Sequence, residues 1–368
     1  MSDTGIDYAA RRRRVRAAMR DRGVDLLALG PSENMTYLLG FHPHPDERPC
    51  LLLLSPESEG FLMPALNAED SKRHTDVAME VYADEEGPDG ALGRLAGSLG
   101  FSSVRSVALD ELMRTDFSLL LLSHVNGASP SLAAELVGEL RMRKDAAEIE
   151  RIQRNAACAD AAMKAAYSAV RAGATEMEVA NAARRSFTAT GVDQVNFTIV
   201  GAGSNGAFPH HHTGSTVLRE GDAVVIDIGA RMGLYNSDLT RMAVVGEPSE
   251  DYLEVHRTVE AAVRAALAVI RPGVRARDID EAARGVITEA GYGPHFVHRT
   301  GHGLGLTGHE PPYITATSDF VLEAGMVFSV EPGIYLQGRF GVRLEEIVTI
   351  TETGVHIFSQ LPRDLHVA

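Results

Sequence analysis

The chain has 368 residues, 45% of them hydrophobic and 23% charged, and carries a formal net charge of −15. That length leaves room for two domains with separate cores, and the acidic balance excludes nucleic acid as the expected partner. No apolar run approaches the ~18 residues that span a bilayer, no signal-peptide pattern opens the chain, and two distant cysteines, Cys50 and Cys158, make neither a disulfide framework nor a thiolate zinc site, so a cytoplasmic protein without a membrane partner is the expectation.

From the amino terminus, residues 8–22 read as a helix with Val15, Ala18 and Met19 on its apolar side, which places the run RRRR (11–14) on its solvated face. The runs DLLALG (25–30), CLLLLS (50–55), GFLMPAL (60–66) and VRSVALD (104–110) read as strands, with further helices near 67–75 and 89–99. This alternation predicts an α/β domain over residues 1–140. Within it, FHPHPDERPC (41–50) is a loop that Pro43, Pro45 and Pro49 stiffen by fixing φ. At RMRKDAAEIE (141–150) a charged, alanine-rich helix begins and runs to about residue 171. A second domain is expected over residues 141–368.

The second domain repeats itself. RAGATEMEVANAAR (171–184) superposes on RPGVRARDIDEAAR (271–284) at an offset of 100 residues, and LREGDAVVIDIG (218–229) on LEAGMVFSVEPG (322–333) at 104. The reading is two copies of one helix-helix-strand-strand unit. In each copy the last strand carries an acid, turns, and returns with another. A hairpin turning on Met232-Gly233 sets Asp227 opposite Asp238; one symmetric about Gly338 sets Glu331 opposite Glu345 and Glu346 opposite Val330. Such cross-strand neighbours hold their Cβ atoms about 4.5–5.5 Å apart on one face. Like charges buried that close raise one another's pKa, so two divalent cations are expected among the four acids.

TGHGLGLTGHEPP (300–312) lies between the two hairpins, with two imidazoles on a glycine-rich backbone that something must approach closely. Such a loop can bring a histidine to the metals: His302 is the candidate nitrogen ligand, and His309 the candidate for facing substrate. One nitrogen among oxygens favours manganese or a similar hard ion over structural zinc. GAGSNG (201–206) spells a dinucleotide fingerprint, but Pro209 stops the helix that this motif needs. The histidines at 210–212 lie about 99 residues before His309, which suggests one catalytic imidazole per repeat.

In this order, NMTYLLGF (34–41), KDAAEIERI (144–152), DIGA, SDLTR, GHGLG, HEPP, SVEPG and GVRLEE resemble the pita-bread metallopeptidases, the family of Xaa-Pro dipeptidase (prolidase), aminopeptidase P, methionine aminopeptidase and creatinase. The resemblance implies an α/β (α+β) chain: a creatinase/prolidase-type N-terminal domain, then a pita-bread catalytic domain with an internal pseudo-twofold repeat. It implies metal ligands at Asp227, Asp238, His302, Glu331 and Glu345, with Asp238 and Glu345 bridging, and catalytic histidines at His210 and His309. The implied reaction is hydrolysis of an Xaa-Pro bond, first of dipeptides, by a hydroxide that two metal ions activate. Manganese is the first choice, with cobalt, zinc or iron as alternatives. Glu331 would carry the proton, and His210 and His309 would bind substrate and stabilise the oxyanion. Arg343, on the strand face of Glu345, would contact substrate, support the ligands or pair with a carboxylate, with a structural ion pair to one of the glutamates as the alternative. An aminopeptidase P acting on longer peptides and a creatinase-like hydrolase of a non-peptide C–N bond are the alternatives. Complete ligands disfavour a metal-free scaffold relative. The family's dimers imply a homodimer in which the neighbouring subunit's amino-terminal domain lies over the active site; the 41–50 loop is then either a solvated turn or a wall in which an acid, Asp46 or Glu47, oriented by Arg48, would pair with the substrate's amino end.

Overall fold

In the computed structural model, which describes residues 5–368, Asp7 accepts the Ala10 amide and starts helix α1 (Tyr8–Arg22). The chain divides into two units, one ending at Arg141 and the other spanning Met142–Ala368. The first is a six-stranded mixed sheet in the order β4-β3-β2-β1-β5-β6. Its strands are β1 (Leu26–Leu29), β2 (Leu51–Leu54), β3 (Glu59–Pro64), β4 (Met79–Tyr82), β5 (Ser106–Leu109) and β6 (Ser129–Leu132). The four central strands are the four apolar runs. The two edge strands carry no such signal, because β4 is half-buried and β6 largely exposed. Helices α2 (Glu33–Leu39), α3 (Ala65–Ser71), α4 (Asp89–Leu99) and α5 (Thr115–His124) complete the unit, followed by α6 (Val137–Met142). Asn34 to Leu39 of α2 are all buried, so this helix lacks the polar face that reveals a 3.6-residue period.

The arginine run is corrected. Arg11 and Arg12 are buried, while Arg13 and Arg14 are exposed. Arg11 lies 4.1 Å from the centre of the Tyr37 ring and donates to the Tyr37 carbonyl. Arg12 pairs with Glu59 at 3.0 Å and Asp76 at 2.5 Å. Buried guanidinium groups are held by such acids, carbonyls and rings, and none of these shows in a local pattern.

The second unit contains the repeat. Capping boxes at Asp145–Glu148 and Thr175–Glu178 start α7 (Ala146–Tyr167) and α8 (Glu176–Thr190). These helices pack through Met163, Phe187 and Ala183 on Val200, Val224 and Ile226 of β7 (Gln194–Ala202) and β8 (Ala223–Met232). The short β9 (Tyr235–Asn236) and β10 (Leu239–Val244) return beside β8. The second copy pairs α9 (Glu250–Val269) with α10 (Ala276–Glu289) over a sheet ordered β12-β11-β13-β16-β17. Its strands are β11 (Gly301–Gly303), β12 (Glu310–Ile314), β13 (Val327–Val330), β16 (Glu346–Ile350) and β17 (Val355–Ile357), while β14 (Gly333–Leu336) and β15 (Phe340–Arg343) form a separate hairpin. The last strand, β18 (His366–Val367), joins β10. The copies match in their backbone bonds: Gly173 donates to Leu218 at 2.9 Å, and Gly273 to Leu322 at 2.8 Å.

The two hairpins differ in register from each other. The second is symmetric about Gly338, with Gly333 opposite Arg343 and Val330 opposite Glu346. The first turns on Gly233-Leu234, not Met232-Gly233; both residues have positive φ, +55° and +77°, as a two-residue type I′ turn requires. The register therefore slides by two, and Asp227 faces Thr240 instead of Asp238. A shift of two preserves the face, because side chains alternate with period two. Asp238 still lies beside Asp227, on the diagonal.

Candidate metal centre and active site

Strand ends and interruptions deliver the acids. Asp227 lies inside β8, Asp238 between β9 and β10, Glu331 between β13 and β14, and Glu345 between β15 and β16. Ligand atoms of Asp227, Asp238 and Glu345 lie within 4.8 Å of one another, as do those of His302, Glu331 and Glu345. Glu345 belongs to both sets. His302 Nε2 is 3.1 Å from Glu331 Oε1 and 4.0 Å from Asp238 Oδ2. Its Nδ1 is 3.1 Å from the Gly303 carbonyl; a carbonyl only accepts, so Nδ1 carries a proton, and Nε2, which faces the Glu331 carboxylate, is the nitrogen that would give up its proton to hold a metal.

The electrostatics call for cations. Burial is the main force raising the pKa of Asp227, Asp238 and Glu345, and repulsion from neighbouring carboxylates adds to it. Burial would raise Glu331 too, but the hydrogen bond and charge of His302, with help from His298 and Arg343, hold it down to about 2. Asp227 Oδ1 is buried with no hydrogen-bond partner. An orphaned oxygen among four carboxylates and one imidazole is the donor chemistry of a divalent-cation site, so these residues fit metal ions.

A cavity of about 960 Å³ opens over the acids. His210, His298, Arg299, His302 and His309 line it beside an apolar wall of Phe197, Ile199, Phe208 and Val297. Of the three consecutive histidines, only His210 lines this cavity; His211 binds the buried Glu176 at 3.0 Å and His212 is exposed. His309 is at the mouth, its ring 3.9 Å from that of His302. Partial burial, then the charges of His302 and Arg299, push its pKa down to about 4.

Of the roles expected of Arg343, pairing with a carboxylate is the one present. It pairs with an aspartate, donating to Asp227 Oδ2 at 2.6 Å, and also to the Tyr335 hydroxyl at 2.8 Å and Thr240 Oγ1 at 3.2 Å. All three of its nitrogens are thus engaged with the site's own residues, and no glutamate is its partner. The glycine question has an answer as well. A Cβ on Gly301 would stand 1.8 Å from the Ser329 carbonyl oxygen, and one on Gly303 2.3 Å from that of Pro311. What approaches the His302 strand is neighbouring backbone on both sides.

Sequence reasoning missed Thr240, Tyr335, His298 and Arg299. Thr240 donates to Glu345 Oε2 at 2.8 Å, and a correct turn position would have put it opposite Asp227. Tyr335 continues the face of Glu331 two positions at a time. His298 accepts from Tyr335 at 2.8 Å, since its Nδ1 is committed to the Arg299 carbonyl at 2.7 Å. No sequence spacing marks it.

The chain belongs to metallopeptidase family M24, whose model matches residues 150–352; it is a peptidase of a class that works with divalent metal ions. The model of the creatinase/prolidase N-terminal domain matches residues 11–143. The chain is 38% identical over 362 residues to the probable dipeptidase PepE of Mycobacterium tuberculosis, covering 97% of this chain and 96% of that protein. It is 32% identical to the Xaa-Pro dipeptidase of Lactobacillus helveticus, covering 95% and 96%. Its structure superposes on the crystal structure of dipeptidase PepE from Mycobacterium ulcerans with a TM-score of 0.93 at 36% identity, covering 99% and 98%. The second unit is accordingly of the pita-bread type. No helix of the described residues is long and apolar enough to cross a membrane.

Proposed function

We propose that the chain hydrolyses the Xaa-Pro bond of dipeptides with two divalent cations, manganese first, held by Asp227, Asp238, His302, Glu331 and Glu345. The observation that carries this reading is the pair of three-donor sets sharing Glu345 under the apolar wall of the cavity. Asp238 and Glu345 would be the residues holding both cations in this reading. Bound there, the cations supply a water of lowered proton affinity and polarise the scissile carbonyl. Four carboxylates against one guanidinium leave the centre negative until they bind. Glu331, beside His302, takes and returns the proton. His210 and His309 hold substrate and donate to the oxygen that becomes negative in the transition state. Arg343 orients Asp227 through their short ion pair and orients Tyr335 and Thr240 with it. The apolar wall fits a proline ring.

The cavity has room beyond a dipeptide, which supports an aminopeptidase acting on longer Xaa-Pro peptides as the second reading. Rates on Xaa-Pro dipeptides against Xaa-Pro-Yaa tripeptides, with manganese present, separate the two; hydrolysis of neither removes both. Residues 1–140 and 141–368 are the two domains of this reading, supported by the division at Arg141. A homodimer in the cytoplasm completes it. The two unpaired cysteines support the location, and light scattering tests the dimer.

A further inference from the structure

We infer that Arg299 is a positioning residue that fixes which nitrogen of His309 carries the proton, making His309 a hydrogen-bond donor into the cavity and keeping it out of the metal's ligand set. The inference rests on the metallopeptidase reading above. By position alone His309 qualifies as a ligand: Asp238, His302 and His309 offer ligand atoms within 4.8 Å of one another. What separates the two rings is what binds the other nitrogen of each.

The Arg299 terminal nitrogen lies 3.3 Å from His309 Nδ1. A guanidinium has only donors, so Nδ1 accepts, and the proton of the neutral ring is on Nε2. A protonated Nε2 can donate to a carbonyl oxygen or oxyanion. It cannot bind a cation, because a ligating imidazole nitrogen must offer its lone pair. His302 is the reverse case at Nδ1, which is bound to the Gly303 carbonyl and so carries a proton, while its Nε2 faces the Glu331 carboxylate at 3.1 Å. Two histidines seven residues apart, their rings tilted by 46°, are thereby set to opposite states at Nδ1, protonated by a carbonyl in His302 and bare before a guanidinium in His309.

Arg299 is itself held for this task. Its guanidinium lies 4.6 Å from the centre of the Tyr313 ring, and Tyr313 pairs with His302 across β11 and β12. Arg299 and His309 stand just ahead of β11 and β12, the two strands that pair His302 with Tyr313.

Long-range proton–nitrogen spectra of zinc-loaded protein, labelled with ¹⁵N-histidine, read the tautomer directly. The parent should show His309 protonated at Nε2. Arg299→Leu should move the proton to Nδ1, whereas Arg299→Gln, which retains a donor, should keep the parent pattern. With cobalt as the probe, Arg299→Leu should change the visible absorption as His309 joins the ligands. In kinetics, Arg299→Leu should lower kcat by about 10- to 100-fold, the range that one charge-assisted hydrogen bond spans, with KM little changed and most of the rate recovered by Arg299→Gln. In a His309→Ala background the same substitution should cost nothing further. An unchanged His309 spectrum in Arg299→Leu overturns the inference. So does an equal loss in the His309→Ala background, which would mean that Arg299 touches substrate itself. If the parent hydrolyses no peptide, the proposed function fails while the spectra still decide this point.

Discussion

Glu346, buried, and Asp238, partly buried, are both acids near Glu345, yet their loss should have opposite consequences. Glu346 is 1% exposed and faces away from the cavity, where it pairs with Arg241 at 2.8 Å and Arg363 at 2.9 Å. Arg241 is fully buried and also donates to the Glu345, Leu361 and Pro362 carbonyls. Removing one partner of a buried ion pair costs about 3–5 kcal/mol, because the remaining charge is stranded. Glu346→Gln keeps one oxygen acceptor and leaves Arg241 its carbonyls, so about 2–4 kcal/mol is the expected loss. For a unit of this size that is a fall in Tm of roughly 5–15 °C. Asp238→Asn deletes a charge that repels Asp227 and Glu345, so the metal-free protein should melt within about 2 °C of the parent. Calorimetric melting of chelator-treated protein, followed by titration with manganese, measures both effects. Folded Glu346→Gln should bind the parent's complement of metal, and Asp238→Asn should lose binding and turnover. If Glu346→Gln melts with the parent, or if Asp238→Asn melts far below it, the assignment of these two faces is wrong.

Glu331→Gln should lower kcat by several orders of magnitude while calorimetry still shows dipeptide binding; a mild loss would move the proton transfer elsewhere. Arg48 is bound by Asp84 at 2.8 and 2.9 Å, by Asp46 at 3.2 Å and by Glu47 at 3.1 Å, which makes the 41–50 loop an ionic cluster. Replacing Asp46, Glu47 and Arg48 by Ala-Gly-Ala should weaken dipeptide hydrolysis and relax length discrimination; unchanged kcat/KM ratios over di-, tri- and tetrapeptides would reduce the loop to a turn. His256 is buried, and burial holds its pKa below the usual value. The unfolded chain therefore takes up this proton first, and stability should fall as pH drops below about 6.5. Denaturant titrations from pH 7 to 5 should show a shallower decline in His256→Gln, and equal slopes would refute the assignment.

Legibility followed the physics of each element. The central strands of the first unit could be read because continuous apolar runs have no other use in a mixed sheet. Its edge strands and α2 could not, since the former lack burial on both faces and the latter lacks a polar one. In the second unit the repeat located helices and strands by comparison of the chain with itself. Asp227, Asp238, Glu331 and Glu345 were legible as acids facing one another across two hairpins, whereas His302, read on a loop, stands in β11. Legible too was the Glu331 hairpin, whose symmetry about Gly338 fixed its register. The first hairpin slipped because Leu234, with φ of +77°, occupies a turn position that its residue type does not announce. Arg299, Tyr335 and Thr240 act by what they touch at long range, and nothing local encodes that.

The registers of the two hairpins explain why the repeat stops short of symmetry at the site. Aligned on their observed pairing, Asp227 corresponds to Glu331, Asp238 to Arg343, Thr240 to Glu345 and Arg241 to Glu346. Two of these corresponding pairs also touch: Thr240 bonds Glu345 at 2.8 Å and Arg241 bonds Glu346 at 2.8 Å. Residues related by a pseudo-twofold axis and in contact must lie close to that axis. An identical pair there would set glutamate against glutamate or arginine against arginine, both buried, at a cost of several kcal/mol. Divergence into hydroxyl–carboxylate and guanidinium–carboxylate pairs removes that cost on the axis itself. The same divergence puts Arg343 where a second copy of Asp238 would stand, and Arg343 reaches back to Asp227 at 2.6 Å. Four carboxylates instead of five, with one guanidinium beside them, keep the centre within the charge that two divalent cations can balance. The asymmetry is what would allow a duplicated scaffold to hold the single metal centre proposed for it.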